Sequence, residues 1–254
     1  MITTFSPLEL GLLAVAALGA GVINTVVGSG SLIVFPTLLA LGLPPVPANM
    51  ANTVGLAIGN VGGVVGYRRE LRGRWRPLVP LVVLTIIGAV LGALALLGLP
   101  AEVFRLVAPV LIVVGCALVA VQPMMNRLAR EPRTGGLWPR WLRLPLIFGT
   151  GVYGGYFGAA QGVLIVGILE LTTGEDLQRV NAMKNVLQTI AGVVATIVFL
   201  FSGPLPWVAI TTIAVGSLAG SGLGAMIGRR LPGWLLRGLI IVIGAIAVVA
   251  LLIG

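Results

Sequence analysis

The sequence predicts an all-α polytopic membrane protein. It is built from two inverted-topology repeats of about five membrane segments each, the first two segments of each repeat forming a broken or re-entrant hairpin. Three observations carry this expectation. The 254-residue chain is 58% hydrophobic and 9% charged, with a mean hydropathy of +1.11, far from the quarter or so of charged residues in a soluble domain. Two stretches, Gly19–Gly66 and Gly149–Leu200, read as degenerate copies of one element. The arginines then place those copies upside down relative to each other.

The segments follow from the charge-free windows. No Asp, Glu, Lys or Arg occurs in Leu10–Tyr67, Pro77–Ala101, Leu106–Asn126, Leu144–Leu169, Asn185–Gly228 or Gly238–Gly254. One crossing needs about 20 apolar residues, so the longer windows hold two or more. The apolar segments run over 8–27, 30–43, 48–67, 77–98 and 103–122, then 143–160, 161–173, 180–202, 206–228 and 236–253. Residues 1–122 therefore form the first repeat and 143–254 the second. The linker 123–142, which contains Pro132, Gly135, Gly136 and Pro139, joins them. The second segment of each half is about 13 or 14 residues at 1.5 Å each, too short for a core about 30 Å thick. It follows its partner through Gly28-Ser29-Gly30 or Gly158-Ala159-Ala160 with almost no room for a loop.

The internal match aligns Gly21 with Gly151, Gly28 with Gly158, Asn49 with Asn181 and Asn52 with Lys184. The offset is about 130 residues at the glycines and two more at the asparagines. Arginines cluster at Arg68, Arg69, Arg72, Arg74 and Arg76, again at Arg127, Arg130, Arg133, Arg140 and Arg143, and in the turn Arg229–Arg237. Placing these three loops in the cytoplasm satisfies an alternating path through every segment and puts both termini outside. An odd number of segments per repeat makes the inversion automatic. Trp75, Trp138, Trp141, Trp207 and Trp234 lie at expected segment ends, as interfacial anchors do.

Composition also excludes functions. The net charge of +9 does not point to nucleic acid, because the basic residues sit in short loops between apolar spans. With no His and one Cys, a zinc or iron site of the usual ligand types is excluded, and no metal or cofactor is expected. Cys116 reads as core packing. An embedded enzyme would need acid–base or nucleophilic groups, which the charge-free interior does not offer, so no catalytic residue is assigned. The N-terminus lacks a basic n-region and Leu10–Val27 runs directly into more apolar sequence, so no cleaved signal peptide is expected.

The candidate site lies where the hairpins break. Glycine lets a helix stop and lets backbone approach a solute closely. A helix restarting after Asn24-Thr25-Val26-Val27-Gly28-Ser29-Gly30 would expose N–H groups, with Ser31 able to cap it. In the second half Gly158, Ala159, Gln161 and Gly162 would do the same from the opposite side. A helix N-terminus carries roughly half a positive charge and attracts anions, so two such ends facing each other would cradle one. Asn49, Asn52 and Thr53 open the third segment, and Asn181, Lys184 and Asn185 open its counterpart; residues three and four apart share a helical face. The Gly19–Gly21 and Gly59–Gly66 stretches read as helix packing. Lys184 is the only lysine, the other fifteen basic residues being arginine. A charge at that depth is a functional-site candidate, the competing reading being a side chain that snorkels toward Glu175, Asp176 and Arg179. Glu170, next to the Thr173-Gly174 turn, reads as an interfacial carboxylate.

These residues resemble the TauE/SafE family, the sulfite and organosulfonate exporters of the toluene sulfonate uptake permease group. The resemblance rests on AGVINTVVGSGSLIVFPTLLALGLPPVPANMANTV at Ala20–Val54, YRREL at Tyr67–Leu71 and GVYGGYFGAAQGVLIVGILELTTGEDLQRVNAMKN at Gly151–Asn185, which together cover both repeats. It implies a bacterial inner-membrane protein that moves sulfur-containing anions such as sulfite, thiosulfate and sulfonates. The expected partners are a small anionic solute and the lipid bilayer, with no nucleic acid; a homodimer is left open. Alternating access with export is the expected mechanism. Uptake of another small anion such as a carboxylate, or a passive channel, is the alternative.

Overall fold

The computed structural model describes residues 5–73, 75–129, 138–227, 238, 240–246 and 248–249. Among these, all regular structure is helical. In chain order the helices are α1 (Pro7–Val26), α2 (Ser31–Ala40), α3 (Pro45–Gly66), α4 (Trp75–Gly98), α5 (Ala101–Ala129), α6 (Arg143–Tyr156), α7 (Gln161–Thr173), α8 (Leu177–Leu200) and α9 (Trp207–Ile227), with a short 3₁₀ turn at Arg140–Leu142 before α6. Residues 240–246 are also helical, in the middle of the expected tenth segment. Residues 239, 247 and 250–253 of that segment, the turn Arg229–Arg237 with Trp234, and Arg74, Arg130, Pro132, Arg133, Gly135 and Gly136 lie outside the described residues.

Local chemistry explains the boundaries. Ser6 caps α1 in a reciprocal box, its Oγ accepting from Glu9 N at 3.3 Å while its own N–H donates to Glu9 Oε2 at 2.7 Å, and Pro7 opens the first turn. Asp176 caps α8 by accepting from Gln178 N at 3.0 Å. α2 has ten residues and α7 thirteen, about 15 and 20 Å long, so neither spans a bilayer. Five described helices, α1, α4, α5 as far as Met124, α8 and α9, are long and apolar enough to cross one. One boundary moves: α5 continues through Pro123 to Ala129, past the expected start of the linker at residue 123. A proline in a long apolar helix is tolerated where neighbouring groups make up for its missing N–H.

The packing interleaves the two halves of the sequence. α1 packs most extensively on α9, and its repeat equivalent α6 packs on α4. α3 lies against α9 as α8 lies against α4, and α3 and α8 meet in the middle. Close approach is made by small residues: Gly21 and Gly59 sit on Ser217, Gly62 on Ser221 and Gly220 on Leu18, while Gly151 sits on Thr85, Gly92 on Val152 and Gly155 on Ala89. The packing role expected for Gly21 and Gly59–Gly66 is what these contacts describe; Gly19 differs, facing open space.

Apolar side chains such as Leu12, Val15, Val83, Ile87, Val110 and Ile197 point outward, while Asn24, Asn49, Asn52, Gln161, Lys184, Asn185 and Gln188 are buried. This inside-out distribution suits a lipid surround. Trp75, Trp138, Trp141 and Trp207 are exposed. Cys116 packs on Gly244, consistent with a filling role. Glu170 is buried against the protein, at 8% exposure.

Candidate functional site at the hairpin junction

Both hairpins break in the same way. α1 ends when Val27 N and Gly28 N both donate to Ile23 O, at 2.7 and 3.1 Å. α6 ends when Phe157 N and Gly158 N both donate to Tyr153 O, at 2.9 and 3.0 Å. Gly28 and Gly158 then take φ of +88° and +73°, the left-handed conformation a glycine adopts without steric penalty. Ala160 holds φ +57° as well, a strained choice for a residue with a Cβ.

The two breaks touch. Gly162 N, at the start of α7, donates to Gly28 O at 3.1 Å. A Cβ on Gly28 would lie 2.6 Å from Gly162 Cα, and one on Gly162 would lie 2.5 Å from Gly28 Cα, so only a glycine pair permits this contact. The tip-to-tip meeting expected from the sequence is present, but the open cradle of N–H groups is altered. Gly162 N is taken by Gly28 O, and Gly30 N donates to Asn24 Oδ1 at 3.1 Å. Ser31 is not the cap: Gly30 holds that position without a side-chain bond, because Asn24 reaches back from the preceding helix to the freed N–H.

Beside the contact lies a polar cavity of about 30 Å³, lined by Asn24, Ser31, Thr53, Leu56, Ala57, Asn60, Gly154, Phe157, Gly158, Gln161, Gln188 and Gly192. Asn24 with Gly154, Ser31 with Gln161, Leu56 with Gln188 and Asn60 with Gly192 are repeat equivalents, at the two offsets already seen in the sequence. Eight of the twelve lining residues thus fall in pairs at those offsets. Asn24 organises it: Nδ2 donates to Asn60 Oδ1 at 2.5 Å, and Oδ1 accepts from Gln188 Nε2 at 3.0 Å. Gln161 Nε2 donates to Thr150 O at 3.0 Å.

Lys184 is fully buried, and its Nζ donates to Asn24 O and Thr25 O at 3.0 and 3.1 Å. These are the last carbonyls of α1, left free by the break, at the negative end of the helix dipole. The snorkelling alternative is overturned: Glu175 instead meets Arg179 at 3.2 Å, and Lys184 points inward.

Of the expected site residues, Asn24, Ser31, Thr53, Gly158 and Gln161 line the cavity, and Gly28, Gly162 and Lys184 adjoin it through the contacts above. Thr25 turns its hydroxyl to Gly21 O at 3.0 Å. Ser29 is buried with its Oγ unpartnered. Ala159 O accepts from Tyr153 Oη at 2.5 Å. Asn49 Nδ2 donates to Tyr156 O at 2.8 Å, while Asn49 Oδ1, Asn52 Oδ1 and Asn185 Nδ2 have no partner. Asn185 lies against Gly63 of α3, and Asn181 is half-buried one turn before Lys184; neither borders the cavity. Asn60 and Gln188 went unread in the sequence. Gln188 follows Lys184 by one helical turn, so extending the same-face rule by four residues finds it.

A family model described as "Sulfite exporter TauE/SafE" matches residues 13–251. The chain belongs to the TauE/SafE family. It is 26% identical over 249 residues to the "Probable membrane transporter protein YfcA" of Escherichia coli (strain K12), covering 95% of this chain and 88% of that protein. It is 30% identical over 224 residues to the "Probable membrane transporter protein ORF9" of Sinorhizobium sp, covering 87% and 82%. A Haemophilus influenzae "Probable membrane transporter protein" is 24% identical over 223 residues, covering 88% and 86%. A multi-pass membrane transporter of the TauE/SafE family is therefore the frame in which the junction is to be understood.

Proposed function

We propose that this TauE/SafE protein exports small sulfur-containing anions, such as sulfite, thiosulfate or organosulfonates, across the bacterial inner membrane by alternating access. The observation that carries the reading is the polar cavity at the hairpin junction, most of whose lining falls in pairs at the two sequence offsets, with the buried Lys184 ammonium bonded to the carbonyl of its lining residue Asn24. Its amides and hydroxyls offer hydrogen bonds to an oxyanion, and the ammonium supplies charge without a carboxylate among its hydrogen-bond partners. The family's description as sulfite exporters supports the substrate class.

At about 30 Å³ the cavity holds roughly one or two waters, so admitting an oxyanion requires the Gly28–Gly162 contact to part. In this reading the moving bodies are not the two sequence halves. α1 and α3 travel with α9, and α6 travels with α4, because those are the extensive interfaces, and α3 and α8 meet at the seam between the two bodies. The repeats are related by an axis in the membrane plane, with the arginine loops cytoplasmic and both termini outside. A cell interior negative by 100 mV drives each negative charge outward by about 2.3 kcal/mol, so export needs no coupling ion.

The test is counterflow. Proteoliposomes preloaded with unlabelled thiosulfate are expected to accumulate labelled thiosulfate transiently, and saturably, against its gradient. Flux that rises linearly with concentration and shows no counterflow would identify a channel. Counterflow with acetate but none with thiosulfate or sulfite would favour the carboxylate alternative.

A further inference from the structure

A second cavity, about 230 Å³, lies where the chain returns from the linker onto the end of α7. Pro77 of α4, Arg140, Arg143, Thr173, Glu175 and Met183 line it. Backbone contacts fix its walls. Trp138 N donates to Leu171 O at 2.9 Å, which docks the returning chain on α7. Gly174, at φ +66°, turns the chain between α7 and α8, and Glu175 N donates to Thr173 Oγ1 at 3.2 Å.

The arginines are placed as a pair. Arg140 opens the 3₁₀ turn and Arg143 closes it, and side chains three apart eclipse in that geometry. Both guanidinium-bearing residues border the same space. Arg143 Nε is shielded from solvent and makes no hydrogen bond, a state that is unfavourable for a charged donor unless a ligand completes it. The one carboxylate in the lining, Glu175, is engaged by Arg179 at 3.2 Å, which offsets its repulsion of an anion. A planar fork of N–H donors matches two oxygens of an oxyanion, and the cavity has room for one with several waters.

We propose that this cavity is a second oxyanion site, in which Arg140 and Arg143 hold a sulfite-, thiosulfate- or sulfonate-type anion at the mouth of the solute path. Helix α8 links it to the junction: Met183 forms its inner wall, and the next residue, Lys184, turns onto α1. Its role as a mouth rests on the transport reading above; its anion chemistry rests on the arginines alone.

The test is titration of the purified full-length protein in detergent with sodium thiosulfate, followed by calorimetry, for wild type, Arg143→Gln, Arg143→Lys and the Arg140→Gln/Arg143→Gln pair. Arg143→Gln is expected to weaken binding roughly tenfold, as loss of a charge-assisted hydrogen bond does. The pair is expected to remove this site's component of the signal, and Arg143→Lys to retain it only in part. Wild-type affinity in the double variant, or no thiosulfate binding by the wild type, overturns the proposal. Variants are compared at matched melting temperature, with Arg143→Lys as the check if the glutamine forms unfold. In counterflow, Arg143→Gln should raise the half-saturating concentration severalfold with the maximal rate retained. Arginine-dependent binding without any thiosulfate counterflow would defeat the transport reading and leave this site standing. Counterflow with unchanged binding in the arginine variants would do the reverse.

Discussion

In the first hairpin, α1 stops at Val26 and the carbonyls of Asn24 and Thr25 receive the Lys184 ammonium from α8. In the second, α6 stops at Tyr156 and that residue's carbonyl receives the Asn49 amide from α3. Each broken helix is thus tied at its end by the third helix of the other half. The backbone solution is shared, down to the doubled acceptance by Ile23 O and Tyr153 O and the positive-φ glycine that follows. The side chains differ: one tie is charged and comes from Lys184, whose first-half equivalent is Asn52, while the other is the neutral amide of Asn49, whose equivalent is Asn181. A shared way of breaking the two helices therefore coexists with an electrostatically one-sided junction. A cation at a helix C-terminus is stabilised by the dipole, so the charge that could meet an anion is already held by α1 in this conformation.

The sharpest way to break the comparison is to add one methyl group to each hairpin tip. Gly28→Ala places a Cβ 2.6 Å from Gly162 Cα, against backbone of the opposing hairpin, in addition to its positive φ. Gly158→Ala has the same conformational problem, but its nearest neighbour is Gly154 O at 3.1 Å. The expected loss is about 3–5 kcal/mol for Gly28→Ala and about 1–2 for Gly158→Ala, read as melting temperature in detergent and as yield of monodisperse protein. Equal losses would mean that the tips do not press on each other.

Lys184→Met separates a tether from a charge. Removing the ammonium leaves two carbonyls of α1 without that donor, at about 1–3 kcal/mol for each orphaned group, but it also relieves a desolvation penalty of several kcal/mol. These oppose, so stability should move little while anion flux falls by at least roughly tenfold, as loss of a charge-assisted contact would produce. Normal flux from normally expressed Lys184→Met would remove the lysine from the transport reading and leave it a helix cap.

Much of this was legible in the sequence because it depends on composition and on glycine. The charge-free windows marked the first nine segments to within a few residues except at the end of α5, and the short α2 and α7 betrayed themselves by length. Gly28 and Gly162 stood out because their surroundings recur. What could not be read was partnership. That Gly162 N would spend itself on Gly28 O, or that Asn24 rather than Ser31 would satisfy Gly30 N, depends on which of several nearby acceptors the packing brings within reach. Gln188 and Asn60 were missed because their repeat equivalents are Leu56 and Gly192, so the internal comparison gave no signal at either position. Lys184 was legible as an oddity, and its direction was not, since inward capping and outward snorkelling use the same residue on the same helix.

The neutral tie should matter less than the charged one. Asn49→Ala removes the bond from Asn49 Nδ2 to Tyr156 O and takes with it Asn49 Oδ1, which has no partner. Losing both groups on one side partly offsets the orphaned carbonyl, so a destabilisation of about 1 kcal/mol is expected, with flux reduced far less than in Lys184→Met. A collapse of flux in Asn49→Ala would place the anion against the second hairpin instead of the first.

The smallest expected effect concerns a contact that exists on one side alone. Tyr153 Oη donates to Ala159 O across the second break, and the first half has Ile23 at the equivalent place, which has no hydroxyl to offer. The bond braces the stretch in which Ala160 sits at φ +57°, whereas the first hairpin spans its break with Gly30 and needs no such brace. Tyr153→Phe keeps the ring and its edge-on contact with Phe157, whose centroid is 6.5 Å away, and deletes the donor. The cost should be about 0.5–1.5 kcal/mol. If the hydroxyl serves to hold Ala160 in its strained conformation, Tyr153→Phe combined with Ala160→Gly should cost less than the sum of the two single changes. Additive melting shifts would show that the strain is carried by the chain itself, and that the second hairpin is as self-supporting as the first.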